Sequence, residues 1–150
     1  TILVSEGGVD TTVHLRSDMP RDADDPRWAE LAPGVEPDRA QVAWSSFVND
    51  QFWLIAHCKA DDPGATVTDL DDHTVQVAYG DVGVTPGDRY VYTLDPETHR
   101  PTSWTFHLAS GREGTFAWTD WQEVGPMTLS LDRSSADGNM RIHFADVTAR

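Results

Sequence analysis

The chain has 150 residues, 25 of them acidic and 11 basic, for a formal charge of −14. Such acidity disfavours nucleic acid, because no basic patch exists to displace counterions from phosphates, and it disfavours docking to an anionic membrane surface. Hydrophobic residues at 39% and six Trp argue against disorder, and no run approaches the roughly 20 apolar residues of a spanning helix.

The charge is uneven. Residues 1–75 carry 15 acidic and 5 basic groups, a net of −10, whereas residues 76–150 carry 10 and 6, a net of −4. Such a surface repels itself and suits high salt, where the repulsion is screened; an arginine-favouring genome accounts for it equally well. Cys58 is the only cysteine, so no internal disulfide forms, and its apolar surroundings predict an inert core thiol. Thr1 opens directly into strand-like sequence without a signal-peptide pattern. The expectation is either a cytoplasmic chain or one whose N-terminus has been removed.

Residues 1–5 and 10–16 read as two strands around the Gly7-Gly8 turn. An acidic loop from Ser17 to Pro26 leads to a helical turn around Trp28 and Leu31. Pro37 suits the first position of a helix, and the 3–4 spacing of Ala40, Ala43, Trp44, Phe47 and Val48 predicts one over about 37–49. A break at Asn49-Asp50 and a second turn through Trp53 to Cys58 are expected. The run Phe52 to Ala56 is apolar all round and should be buried on more than one side.

After Asp61-Asp62-Pro63-Gly64 the pattern changes to period two. Strands are expected at 66–70, 74–80, 88–95, 102–109, 114–122, 127–133 and 139–147. Their short connections carry turn chemistry, which predicts an antiparallel meander. One face gathers Val75, Val77, Tyr79, Tyr90, Tyr92, Leu94, Trp104, Phe106, Leu108, Phe116, Trp118, Leu129, Leu131, Met140, Ile142 and Phe144. The other carries Thr93, Thr105, His107, Arg141 and His143. Trp44, Phe47, Phe52 and Trp53 are expected to cover the aromatic face. The fold class is therefore α+β, mainly β: a curved antiparallel sheet forming an open half-barrel, with helical segments on its concave aromatic face, in a single domain over residues 1–150.

Signs of reaction chemistry are weak. The histidines lack metal-ligand spacing, and one cysteine cannot build a structural zinc site. Asp69, Asp71, Asp72 and His73 form a local cluster, as do Asp18, Asp22, Asp24 and Asp25, but neither has an EF-hand pattern. No nucleophile elbow or phosphate loop is present. His57 and Cys58 are adjacent and should point apart on a helix. His107 and His143 could pair with each other or with Asp120 and Asp146 on the polar face. No catalytic residue, metal or cofactor is assigned.

Four stretches occur in a distinctive order: Ser46-Phe47-Val48-Asn49-Asp50-Gln51-Phe52-Trp53-Leu54-Ile55 followed by Lys59-Ala60-Asp61-Asp62-Pro63-Gly64, then Gly83-Val84-Thr85-Pro86-Gly87-Asp88-Arg89-Tyr90, Tyr92-Thr93-Leu94-Asp95-Pro96-Glu97-Thr98, and Trp118-Thr119-Asp120-Trp121. Together they resemble an uncharacterised family of bacterial envelope proteins that looks like the lipoprotein-carrier superfamily (LolA/LolB-like, including the LppX-type lipid carriers). The resemblance covers about residues 28–148. It implies a half-barrel whose cavity holds acyl chains, in a periplasmic or otherwise extracytoplasmic, non-enzymatic carrier. Trp44, Phe47, Phe52, Trp53, Tyr90, Tyr92, Trp104, Phe106, Phe116 and Trp118 would line that cavity, and the partner would be an apolar small molecule or lipid. Family members carry further N-terminal elements, so an exposed sheet edge near residues 1–16 and a homodimer through it are expected. The alternatives are a structural or protein-interaction domain with a filled core, and an enzyme with a His/Asp acid–base pair acting on a small apolar substrate.

Overall fold

The computed structural model describes residues 19–149, together with the backbone of residues 2–6 and 9–13. The chain divides into two compact units, Thr1–Trp53 and Leu54–Arg150. No linker composition marks that boundary, because it falls within a continuous helix.

In the first unit, β1 (Ile2–Glu6) and β2 (Val9–Val13) pair antiparallel, with Ile2 opposite Val13 and Glu6 opposite Val9. They form a two-stranded sheet of their own. The expected exposure of an edge near residues 1–16 lies outside the described residues. The acidic loop that follows folds onto Trp28, whose indole N–H donates to the Asp22 carbonyl at 2.7 Å. Asp25 accepts from the Arg27 backbone N–H at 2.9 Å and pairs with the Arg27 guanidinium, opening the short α1 (Trp28–Leu31). Met19, Trp28, Leu31, Ala32, Ala40 and Ala43 form this unit's core, with Val35 and Trp44 packed against it.

α2 (Pro37–Ile55) starts where Pro37 loses nothing by lacking an N–H, and the Glu36 carbonyl accepts from the Ala40 N–H at 3.0 Å. The expected break at Asn49-Asp50 is not there: the helix runs unbroken to Ile55 and tightens into a 3-10 turn, Ala56–Lys59. Both residues are exposed, and their lower helix propensity costs only a few tenths of a kcal/mol, too little to interrupt an established ladder. Burial is also less than expected, since Phe52, Trp53, Leu54 and Ile55 are half-buried and Ala56 alone of that run is buried. Cys58 is exposed, not a core thiol, and its Sγ lies 3.4 Å from His57 Nε2, so the two side chains meet.

The second unit is a seven-stranded antiparallel sheet in sequence order: β3 (Ala65–Asp71), β4 (Thr74–Tyr79), β5 (Arg89–Leu94), β6 (Pro101–His107), β7 (Glu113–Val124), β8 (Met127–Ser135) and β9 (Arg141–His143). It is an open meander, because β3 and β9 do not pair with each other. All seven fall where the period-two pattern puts them, though β9 is far shorter than expected and leaves Met140 exposed. Val124, Leu129 and Leu131 make a cluster against which Leu54 and Ile55, the last turn of α2, are packed. Helical residues of this unit thus do lie on the sheet.

Candidate functional site

Strand alternation builds the site. In the ladder Tyr90 stands opposite Phe106, Tyr92 opposite Trp104, and Trp104 opposite Phe116. Directly opposed residues share a face, so one face collects six aromatic rings, all buried. Ring centroids lie 4.9 Å apart for Tyr90 and Trp104, 5.2 Å for Trp104 and Trp118, 5.8 Å for Tyr92 and Trp118, and 6.1 Å for Phe106 and Phe116. These rings fill space against one another. Trp44, Phe47, Phe52 and Trp53 belong to the first unit, where Trp44 packs on that unit's core and stacks on Phe47 at 6.0 Å.

Arg133 completes the aromatic face. It is opposite Trp118 in the ladder and fully buried, with its guanidinium carbon 3.5 Å from the indole centroid. It donates to the Ser130 and Asp132 carbonyls at 2.9 and 3.1 Å. Burial lowers its pKa to about 10.

Beside this packed cluster lies a pocket of about 320 Å³. Val75 and Val77 of β4, Tyr92 and Leu94 of β5, Pro101 of β6, Trp121 of β7 and Thr128 of β8 line it, together with His57, Ala60, His99 and Arg100 from the turns. Of the ten aromatics expected to line a cavity, only Tyr92 is on this wall. Trp121 reaches it through a break in alternation. Trp118 and Trp121 are three apart and should face opposite sides, yet their ring centroids are 6.0 Å apart. Asp120, between them, has a left-handed backbone (φ 54°) and drops out of the ladder between the Thr119–Asp132 and Trp121–Ser130 pairs. That irregularity lies below what residue periodicity reveals.

The Asp-Pro-Glu-Thr hairpin positions the pocket's cationic rim. Asp95 Oδ1 accepts from the Glu97 and Thr98 backbone N–H groups at 3.1 and 2.7 Å and from the Thr98 hydroxyl at 2.8 Å. Those bonds hold the Asp95 carboxyl below its usual range. His99 N–H donates to the Asp95 carbonyl at 2.8 Å, and His99 takes a left-handed φ of 56°. Arg100 follows, with its guanidinium carbon 5.9 Å from the Trp121 centroid. Among the described residues no Asp or Glu lines the pocket.

Also in the pocket wall, His57 Nε2 lies 3.2 Å from the Thr128 carbonyl, which can only accept, so this nitrogen carries the proton. The His57 ring meets Trp118 and Trp121 edge-on at 5.5 and 5.3 Å. Burial, aided by the nearby Arg133 charge, lowers its pKa despite the opposing Thr128 bond. His57 Nδ1 and the Tyr92 hydroxyl are buried without hydrogen-bond partners among the described residues. Sequence periodicity could not single out His57, because its role depends on a strand 71 residues away.

The other candidates resolve into local structure. Asp71 Oδ1 accepts from the His73 N–H at 2.9 Å, closing the β3–β4 turn. His107 Nδ1 pairs with Glu113 at 2.6 Å and His143 Nδ1 lies 3.5 Å from Asp132; both are cross-strand polar pairs, not the alternative acid–base pairings with Asp120, Asp146 or each other. Among the described residues no three His, Cys, Asp or Glu side chains are grouped to hold a metal ion, and no helix is long and apolar enough to cross a membrane. Comparison with family models, curated proteins and solved structures finds no match to this chain.

Proposed function

We propose that the second unit is a non-enzymatic binding module for a small apolar ligand, held in the pocket between Val75, Val77, Leu94 and Trp121. The pocket itself supports this most directly: at about 320 Å³ it lies at the small end of the roughly 300–1,000 Å³ typical of ligand sites, with largely apolar walls. That volume suits one short acyl chain or one aryl group. Apolar burial would supply most of the affinity, at about 25 cal/mol per Å² removed from water. The sequence resemblance to lipoprotein carriers is what points to acyl chains and to the cell envelope.

Titration with octan-1-ol, followed by tryptophan fluorescence, tests the proposal. A saturable change in the wild type that is lost in Leu94→Trp, where the larger side chain fills the pocket, is expected. No saturable change in the wild type with either this alcohol or its carboxylate analogue octanoate, or survival of the change in the filled variant, would overturn the proposal. A second reading, a packed structural domain without a ligand, is favoured by the six mutually packed aromatic rings, and the same negative result would select it.

A further inference from the structure

The pocket's charge is opposite to that of the chain around it. The protein carries −14, yet among the described residues that line the pocket the permanently charged side chain is Arg100, and none is a carboxylate. Arg100 is exposed at the rim, and among the described residues no acidic side chain forms a salt bridge with it. In the same hairpin Asp95 is committed to the three bonds that fix it, and the nearer carboxylate, Glu97, makes no ion pair with Arg100 among the described residues. The guanidinium lies over Trp121, a contact that orients the planar fork and leaves its N–H groups able to donate. Beneath that rim the walls are apolar: Val75, Val77 and Leu94. One polar group of the wall, the Tyr92 hydroxyl, belongs to a side chain only 2% exposed and has no partner among the described residues.

We propose that the pocket selects an amphiphilic monoanion, a carboxylate on a small apolar body, with the carboxylate against Arg100 at the rim and the body against Trp121 and the valines. This deepens the proposed binding function and rests on it. An Arg–carboxylate pair is charge-assisted and can be bidentate, so it discriminates against a neutral head of the same size. The net charge of −14 sharpens the choice, because it disfavours anions over most of the chain while the pocket rim offers a cation. An overall charge that repels anions is the reason such a ligand would need a built cationic rim.

The test compares octanoate with octan-1-ol at the same pH and low salt, on the wild type and on Arg100→Gln. Because Arg100 is exposed, the variant keeps the fold. The expected result is octanoate binding at least roughly tenfold tighter than the alcohol, a preference lost in Arg100→Gln and weakened by added salt. Equal binding of both probes, tighter binding of the alcohol, or a preference that survives in Arg100→Gln would overturn the anion selectivity and leave the apolar pocket standing. Binding of neither probe would overturn both.

Discussion

Arg133 lies against the face of Trp118, its guanidinium carbon 3.5 Å from the ring centroid, and both residues are buried in the middle of the aromatic face. A charged group at the heart of an apolar cluster is costly unless its donors are satisfied and its charge is met. Here the Ser130 and Asp132 carbonyls take donors and the indole quadrupole faces the cation.

Arg133→Met keeps much of the volume but removes the stack and the carbonyl bonds. It is expected to destabilise the second unit by about 1–3 kcal/mol in urea denaturation. An unchanged or raised midpoint would show that the buried cation contributes no net stability, as found for some buried ionic groups.

Gly114 faces Phe106 across the β6–β7 pair, and a Cβ there would lie 2.6 Å from Phe106 Cζ and 2.9 Å from Cε1. The ring covers the glycine because nothing projects from it. Gly114→Ala should displace Phe106 and cost about 1–3 kcal/mol by overpacking. Adding Phe106→Leu should recover part of that loss, which a double-mutant cycle in urea would measure.

How far the sequence reaches can be seen strand by strand. Period-two alternation locates all seven strands of the second unit and the buried aromatic face, because a half-buried strand needs one apolar side. The pocket wall was less legible. Trp121 joins it through the left-handed Asp120, His57 through a bond to the Thr128 carbonyl, and Arg100 through a hairpin shaped by Asp95. Each depends on a local irregularity or a distant partner, and neither leaves a periodic trace. The Asp-Pro-Glu-Thr motif was visible, but its consequence for the rim was not. Arg133 was missed because a lone arginine in a strand is ordinarily a solvent-facing residue.

His57 titrates below its ordinary value, with burial as the main cause. The folded state therefore prefers the neutral ring, while the unfolded chain takes up a proton near pH 6.5. This contribution to stability is fully present above that pH and is lost as pH falls from about 6.5 through the lower folded value. Stability should decline with acid in that window, and His57→Gln should flatten the slope there. The lowered carboxyls of Asp95, Asp132 and Asp137 act in a separate window, since their contribution is lost only as pH falls below about 4. Urea midpoints collected across pH would separate the two; an unchanged slope in His57→Gln would remove His57 as the cause.

All three tyrosines, Tyr79, Tyr90 and Tyr92, resist ionisation. Burial pushes Tyr79 up to about 12, with Asp62 adding to it. Burial raises Tyr90 and Tyr92 further, helped at Tyr90 by Asp88 and at Tyr92 by the neighbouring tyrosines. The fold holds these phenols neutral, so stability falls as pH rises above about 10, where the unfolded chain loses its protons. Tyrosinate absorbance should stay low until the protein unfolds in alkali and then rise in one step. A smooth titration centred near pH 10 in the folded protein would contradict their burial.

The central claim is that the pocket beside the aromatic face takes a small apolar acid. A two-dimensional nuclear magnetic resonance titration with octanoate tests it most directly. The account predicts saturating shifts at Val75, Val77 and Leu94 and at the Trp121 indole, with the Arg100 side chain following the same curve, and no shift at Trp28 in the first unit. Shifts that never saturate, or that fall on Trp28 and spare Trp121, would contradict it.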